Sequence, residues 1–331
     1  MLKITAHDFT PEHRTEWEAF ANQCINATLF HTMAFLDYHP IGRFKFAHVM
    51  FRDEHNELVA LLPAGFFKGQ EGVLWSPIGA SYGGFITKDI SFDVALQVVD
   101  CFMEYCTAKG YTESFVIPPP FIYSSVMNQH IEYAMLYRKF DFEYHYISHA
   151  AELKPVNGEM IPTFSVSARR NIRRAMREGE LTVKRIDSDE AYAQFHEILV
   201  LNKAKHNAKP THSLEEMIRI RELLPGKLVL FMVYRFGKPV AGAWMMLCNN
   251  NVALCFYIMM LYEYEHLHPN YVLMNVVTQW CADNGYRWMD IGVSQDTKSD
   301  NPMTPSLPLI AFKERFAARG ILRSTYHFSF G

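Results

Sequence analysis

The chain runs twice through one order of elements, at a spacing that barely drifts. Residues 46–51 and 58–66 alternate as two strands around the polar turn Asp53-Glu54-His55-Asn56. Residues 228–235 and 240–247 flank the turn Phe236-Gly237-Lys238-Pro239 in the same manner. The first hairpin is followed by an apolar strand at 72–77, a helix over 92–109 closed by Gly110, and a strand at 115–117. After the second come a strand at 251–260, a helix over 270–284 closed by Gly285, and a strand at 287–293. Lys109-Gly110-Tyr111 and Asn284-Gly285-Tyr286 align at 285 − 110 = 175, and the segments starting at Leu136 and Phe312 at 312 − 136 = 176. A duplicated unit explains both offsets, and 331 residues suffice for two separate cores. The Pro-, Asn- and Gly-bearing stretch 152–160 marks the expected boundary, between domains 1–155 and 156–331.

Composition narrows the class. With 49% hydrophobic and 20% charged residues, a disordered chain is excluded. A net charge of −3 removes the broad positive field of a general nucleic-acid binder, so DNA is not an expected partner and any basic site must be local. Six cysteines without a CxxC pair argue against a disulfide framework or a zinc ribbon. Acidic residues at Asp8, Glu12, Glu16 and Glu18 interrupt the first thirty positions, so neither a secretory signal nor a transmembrane anchor is expected and the cytoplasm is the expected compartment.

Four places can carry chemistry. Residues 169–185 hold seven basic and two acidic side chains, a local balance of 7 − 2 = +5. Over 167–179 a helix sets Ala168, Ile172, Ala175 and Met176 on one face and Arg169, Arg170, Arg173, Arg174 and Arg177 around the rest, with Ser167 as its cap. Such an array either binds phosphate or carboxylate or is a solvated face. Residues 260–270 lead into a helix whose start suits Pro269 and Asn270, where free backbone N–H groups can receive an anion. His266 and His268 stand two apart without a third ligand at a recognisable spacing, so no metal is expected. Asp290 and Ser294 sit at a strand end where the first copy carries Phe115 and three prolines, which places a reactive site in the second copy unless Asp290 is only a turn cap. Lys313 follows a long polar loop and either reaches back to it or faces solvent. No GxSxG, Walker or HExxH motif is present, which argues against hydrolase, NTPase and metalloprotease chemistry.

The run SARRNIRRAMREGELTV, the hairpin GKPVAG, YRWMDIGVS and LIAFKERFAARG, together with LVALLPAGF and SYGGF in the first half, resembles the FemAB-like branch of the GNAT superfamily. The resemblance implies an α/β protein of two fused GNAT domains with mixed sheets, and a sheet splayed between its fourth and fifth strands to hold an acyl donor, with the donor site in the second domain. It implies acyl transfer to an amine, of a small molecule or a cell-wall precursor, from acetyl-CoA or another acyl-CoA, or alternatively from aminoacyl-tRNA. A non-catalytic binding protein on the same scaffold is the third reading. By position, the donor loop would be Met260–Asn270 and Lys313 would match the family's lysine in its FKE-like segment, with Arg169 and Arg173, or that loop ending at Asn270, receiving the donor's phosphates. Asp290 and Ser294 would then lie at the reacting strand, and Tyr257 would protonate the leaving thiolate unless it simply packs. The sequence departs from the family in lacking phosphate-binding glycines before the Pro269 helix and a double glycine after Ser294.

Overall fold

The computed structural model describes residues 3–205 and 207–331. They divide into two compact units, Met1–Tyr146 with Leu322–Gly331, and Ile147–Ile321.

In the first unit the strands are β1 (Thr5–Asp8), β2 (Lys45–Phe46), β3 (Val49–Arg52), β4 (Leu58–Leu62), β5 (Gly65–Phe66), β6 (Val73–Ser76), β7 (Ile86–Thr87), β8 (Glu113–Val116) and the start of β9 (Asp141–Glu152). Its helices are α1 (Arg14–Ala21), α2 (Met33–Leu36), α3 (Phe92–Ala108) and α4 (His130–Tyr137). The expected first hairpin is divided between two sheets. β3 and β4 pair in the sheet β1-β3-β4-β7, whereas β2 and β5 pair with each other in a different sheet. Pro63 lies between β4 and β5, and having no N–H it cannot continue a ladder. Val98, Val99 and Phe102 of α3 close this unit's core over Phe51, Leu62 and Phe85.

In the second unit α5 (Val166–Glu178), β10 (Leu181–Ile186), α6 (Asp189–Ala204) and α7 (Leu214–Leu223) come first. There follow β11 (Leu228–Arg235), β12 (Lys238–Leu247), β13 (Val252–Met260), α8 (Pro269–Asp283), β14 (Trp288–Val293), α9 (Leu307–Glu314) and the start of β15 (Ala318–Ser329). Strands β10 to β13 are antiparallel neighbours, β13 and β14 run parallel, and β14 pairs antiparallel with Ser148–Glu152 of β9. Strand alternation sends Ala243 and Met245 into the core beneath α5 and α8, while Trp244 faces α6 and donates its indole N–H to Tyr192 at 3.3 Å.

The internal repeat is visible in how helices end. Gly110 and Gly285 both take a left-handed backbone, at φ 71° and 80°, which only glycine adopts without strain. Tyr111 N–H then reaches Cys106 O at 3.0 Å and Tyr286 N–H reaches Cys281 O at 3.1 Å, the same six-to-one closure in each unit. One alignment slips: α4 and α9 end at 314 − 137 = 177, one residue beyond the spacing of the aligned segments.

Candidate functional site

The second unit contains a split between parallel strands. β13 and β14 pair only at Val252–Trp288, Ala253–Met289 and Leu254–Asp290, and then both run on without each other. β13 carries a bulge at Phe256, where Trp244 and Met245 of β12 face Tyr257 and Cys255, so its path turns away at the point where pairing stops. Ile258, Met259 and Met260 on one wall and Gly292 and Val293 on the other are partly exposed, so the gap opens to solvent. In the first unit the corresponding parallel pair, β6 and β8, is joined along all four residues of each strand.

At the root of the split lies a buried polar cluster. Asp290 is wholly buried, and its Oδ1 accepts from Ser148 Oγ at 2.9 Å and from the Gly292 N–H at 2.7 Å. Lys313, 3% exposed, donates to Gly292 O at 2.7 Å, Val293 O at 2.8 Å and Ser294 Oγ at 3.0 Å. Three donors thus meet three acceptors. Gly292 has φ 74° and is held from both sides, its N–H by Asp290 and its C=O by Lys313. Ser294 Oγ also hydrogen-bonds His149 Nδ1 at 2.9 Å. Burial pushes the Lys313 ammonium down to about 8, against the opposing pull of Asp290. Burial, reinforced by Lys313, holds His149 below its usual value.

The Lys313 shift has a consequence for stability. Between pH 8 and the ordinary lysine value of 10.5 the unfolded chain keeps a proton that the folded chain has released, so this residue's contribution to stability rises as pH increases. Tm of the wild type relative to Lys313→Met is expected to climb between pH 7.5 and 9.5; a flat difference would reject the shift.

The structure brings together Asp290, Ser294 and Lys313, and adds Ser148 and His149, which sequence reasoning did not select. Their only sequence signal is position: both lie on β9, which pairs with β14 through Val293–Ser148. The solvent-facing alternative for Lys313 is overturned, because packing of Phe312 and Phe316 on the core turns its ammonium inward. Tyr257 takes other partners. Its hydroxyl accepts from Thr211 N–H at 3.2 Å and bonds His212 Nδ1 at 3.2 Å, and burial raises its pKa.

Helix α5 is capped by Ser165, whose Oγ accepts from Ala168 N–H at 3.2 Å, and not by Ser167. Ala168, Ile172 and Ala175 are buried as the pattern required, whereas Met176 is 63% exposed because it lies beyond the apolar stripe. Arg169 donates to Pro162 O at 3.0 Å, and Arg174 and Arg177 pair with Glu178. Arg170 and Arg173 are exposed, with no ion-pair partner among the described residues. α5 packs against α8, and Arg174 adds to burial in lowering the pKa of His268, the residue preceding α8. Asn270, in the first turn of α8, keeps its Oδ1 shut from solvent without a hydrogen-bond partner.

A parallel strand pair that parts ahead of a helix start, in the second of two α/β units, is the arrangement of a GNAT domain in a tandem chain. Residues 165–299 match the acetyltransferase (GNAT) domain family. The crystal structure of FemX superposes with a TM-score of 0.71 at 12% identity, covering 98% of this chain and 97% of FemX. A domain from Agrobacterium fabrum assigned as the C-terminal part of a lysylphosphatidylglycerol synthetase superposes at 0.60 and 12% identity, over 96% of this chain and 91% of that one. A tandem GNAT protein from the clavulanic acid biosynthesis pathway superposes at 0.57 and 8% identity, over 100% and 99% of the two chains. At these identities the likeness is one of fold. No curated protein matches the chain in sequence. Residues 165–299 thus form a GNAT-type domain, and the chain as a whole has the two-unit fold of these solved structures, the architecture that the sequence resemblance implied.

Proposed function

We propose that this protein is an N-acyltransferase that draws the carbonyl of an acyl-CoA thioester between β13 and β14. The observation that carries this reading is the parting of those strands after Leu254 and Asp290, opposite a first-unit pair joined along its length. Backbone groups of β13 beyond Leu254 have no ladder partner on that side, and N–H groups there can receive a developing oxyanion. The acceptor amine attacks the carbonyl carbon, and collapse of the adduct breaks the carbon–sulfur bond. The amine's surplus proton passes to solvent water, while Tyr257, whose hydroxyl is bonded to His212, protonates the departing thiolate and regains its proton from solvent. Asp290, Ser294 and Lys313 act as positioning residues by holding the turn at Gly292.

One observation favours a second donor, aminoacyl-tRNA, with a cell-wall precursor as acceptor. The segment before α8 lacks glycine and bears Glu263 and Glu265, an unfavourable seat for pyrophosphate, while Arg170 and Arg173 offer an exposed cationic face along α5. Titration with acetyl-CoA and with charged tRNA separates the two, since tRNA affinity falls steeply with salt. Arg170→Ala with Arg173→Ala is expected to weaken donor binding about tenfold and leave Tm unchanged, because both side chains are exposed. Unchanged affinity removes α5 from the donor site. A donor bound but never consumed with any amine would instead mark a binding protein.

A further inference from the structure

A second cavity lies wholly in the first unit, with a volume of about 570 Å³. Its lining includes His48, Phe46, Phe66 and Tyr111, with Tyr105 and Lys109 from the C-terminal end of α3. Most of its charges are already neutralised. Asp8 accepts from Tyr105 Oη at 2.5 Å and from Lys109 Nζ at 2.6 Å, and Arg14 pairs with Asp37 at 2.7 Å. His48 is 7% exposed, and its Nδ1 accepts the Ala64 N–H at 3.1 Å. That bond settles the tautomer, since a neutral imidazole with one accepting nitrogen carries its hydrogen on the other. Burial holds the ring far down, at about 3, so it stays neutral. The Nε2–H has no protein acceptor among the described residues, and although the residue is buried this nitrogen is not shut from solvent, so it is free to donate to an occupant of the cavity that His48 lines. Around it Phe46 lies 5.0 Å from the His48 ring at a 31° tilt, Phe9 meets the ring edge-on at 5.7 Å, and Phe66 and Tyr111 meet at 5.2 Å.

From this geometry we infer that the first unit binds a planar aromatic compound bearing a neutral hydrogen-bond acceptor, a carbonyl or ring nitrogen, which takes the Nε2–H of His48 while the ring lies among the aromatic walls. This site is independent of acyl transfer, because every residue it uses lies in the first unit.

The test uses the full chain and a near-isosteric pair, acetophenone and α-methylstyrene, which differ in having a carbonyl oxygen or a methylene group at one position. Acetophenone is expected to bind at least about tenfold tighter, the discrimination of one buried hydrogen bond, and to shift the His48 Nε2–H signal in nitrogen-15 histidine spectra. Phe46 is 38% exposed, so Phe46→Ala should fold with unchanged Tm and still bind acetophenone about fivefold more weakly. Equal affinity for the two probes, no binding of either, or a shift confined to other histidines overturns the inference.

Discussion

Lys313→Met is expected to lower kcat/KM for acyl transfer by at least about a hundredfold and to depress Tm by several degrees. Lys313 closes the site by meeting two carbonyls and one hydroxyl with three donors, from a side chain that is itself out of solvent. Methionine matches its length and fills its space, but the Gly292 and Val293 carbonyls lose their side-chain donor. Each half-buried acceptor so orphaned costs up to about 1–3 kcal/mol, partly offset by removal of a desolvated charge. At about 2–4 °C per kcal/mol for a unit of this size, a clear but survivable drop follows. The loss of rate is the larger effect, because a lip of backbone displaced by even an ångström no longer holds a carbonyl in line. Steady-state kinetics with the donor and amine that the wild type uses, beside a melting curve, decide the matter. Full activity in a folded Lys313→Met protein would remove Lys313 from the site.

The second large effect is at Asp290, where charge and shape can be separated. Asp290→Ala orphans the Gly292 N–H and the Ser148 hydroxyl within the core, so a loss of a few kcal/mol and about a hundredfold in rate is expected. Asp290→Asn keeps an oxygen able to accept both bonds and loses only the negative charge. Its rate should fall about tenfold with a smaller change in Tm. Asp290 raises the pKa of Lys313, so in Asp290→Asn the pH-dependent gain in stability should begin below pH 8. Matching rates and melting curves for Asn and Ala would show that the carboxylate acts through shape alone.

Much of the second unit was legible because its signals are local. The hairpin β11–β12, the helices α5 and α8, and the glycine closure at Gly285, like its counterpart at Gly110 in the first unit, each depend on residues within a few positions of one another. Asp290, Ser294 and Lys313 stood out as polar residues in apolar surroundings, and the structure gathers all three around Gly292. Ser148 and His149 did not, since their pattern of Ser and His within a strand is common and their partners lie more than 140 residues away. Pairing that brings distant strands together leaves no periodic trace in either strand.

The sequence by itself determined the repeated order of elements, the glycine closures of α3 and α8 and the buried stripe Ala168, Ile172 and Ala175 of α5, because period and turn chemistry are properties of short stretches of chain. Only the tertiary structure decided that Lys313 turns inward, that residues 322–331 return to the first unit, and that β13 and β14 part while β6 and β8 stay joined. Each of these is settled by which distant surfaces bury one another, and a one-residue bulge at Phe256 was enough to redirect a strand whose composition reads as continuous.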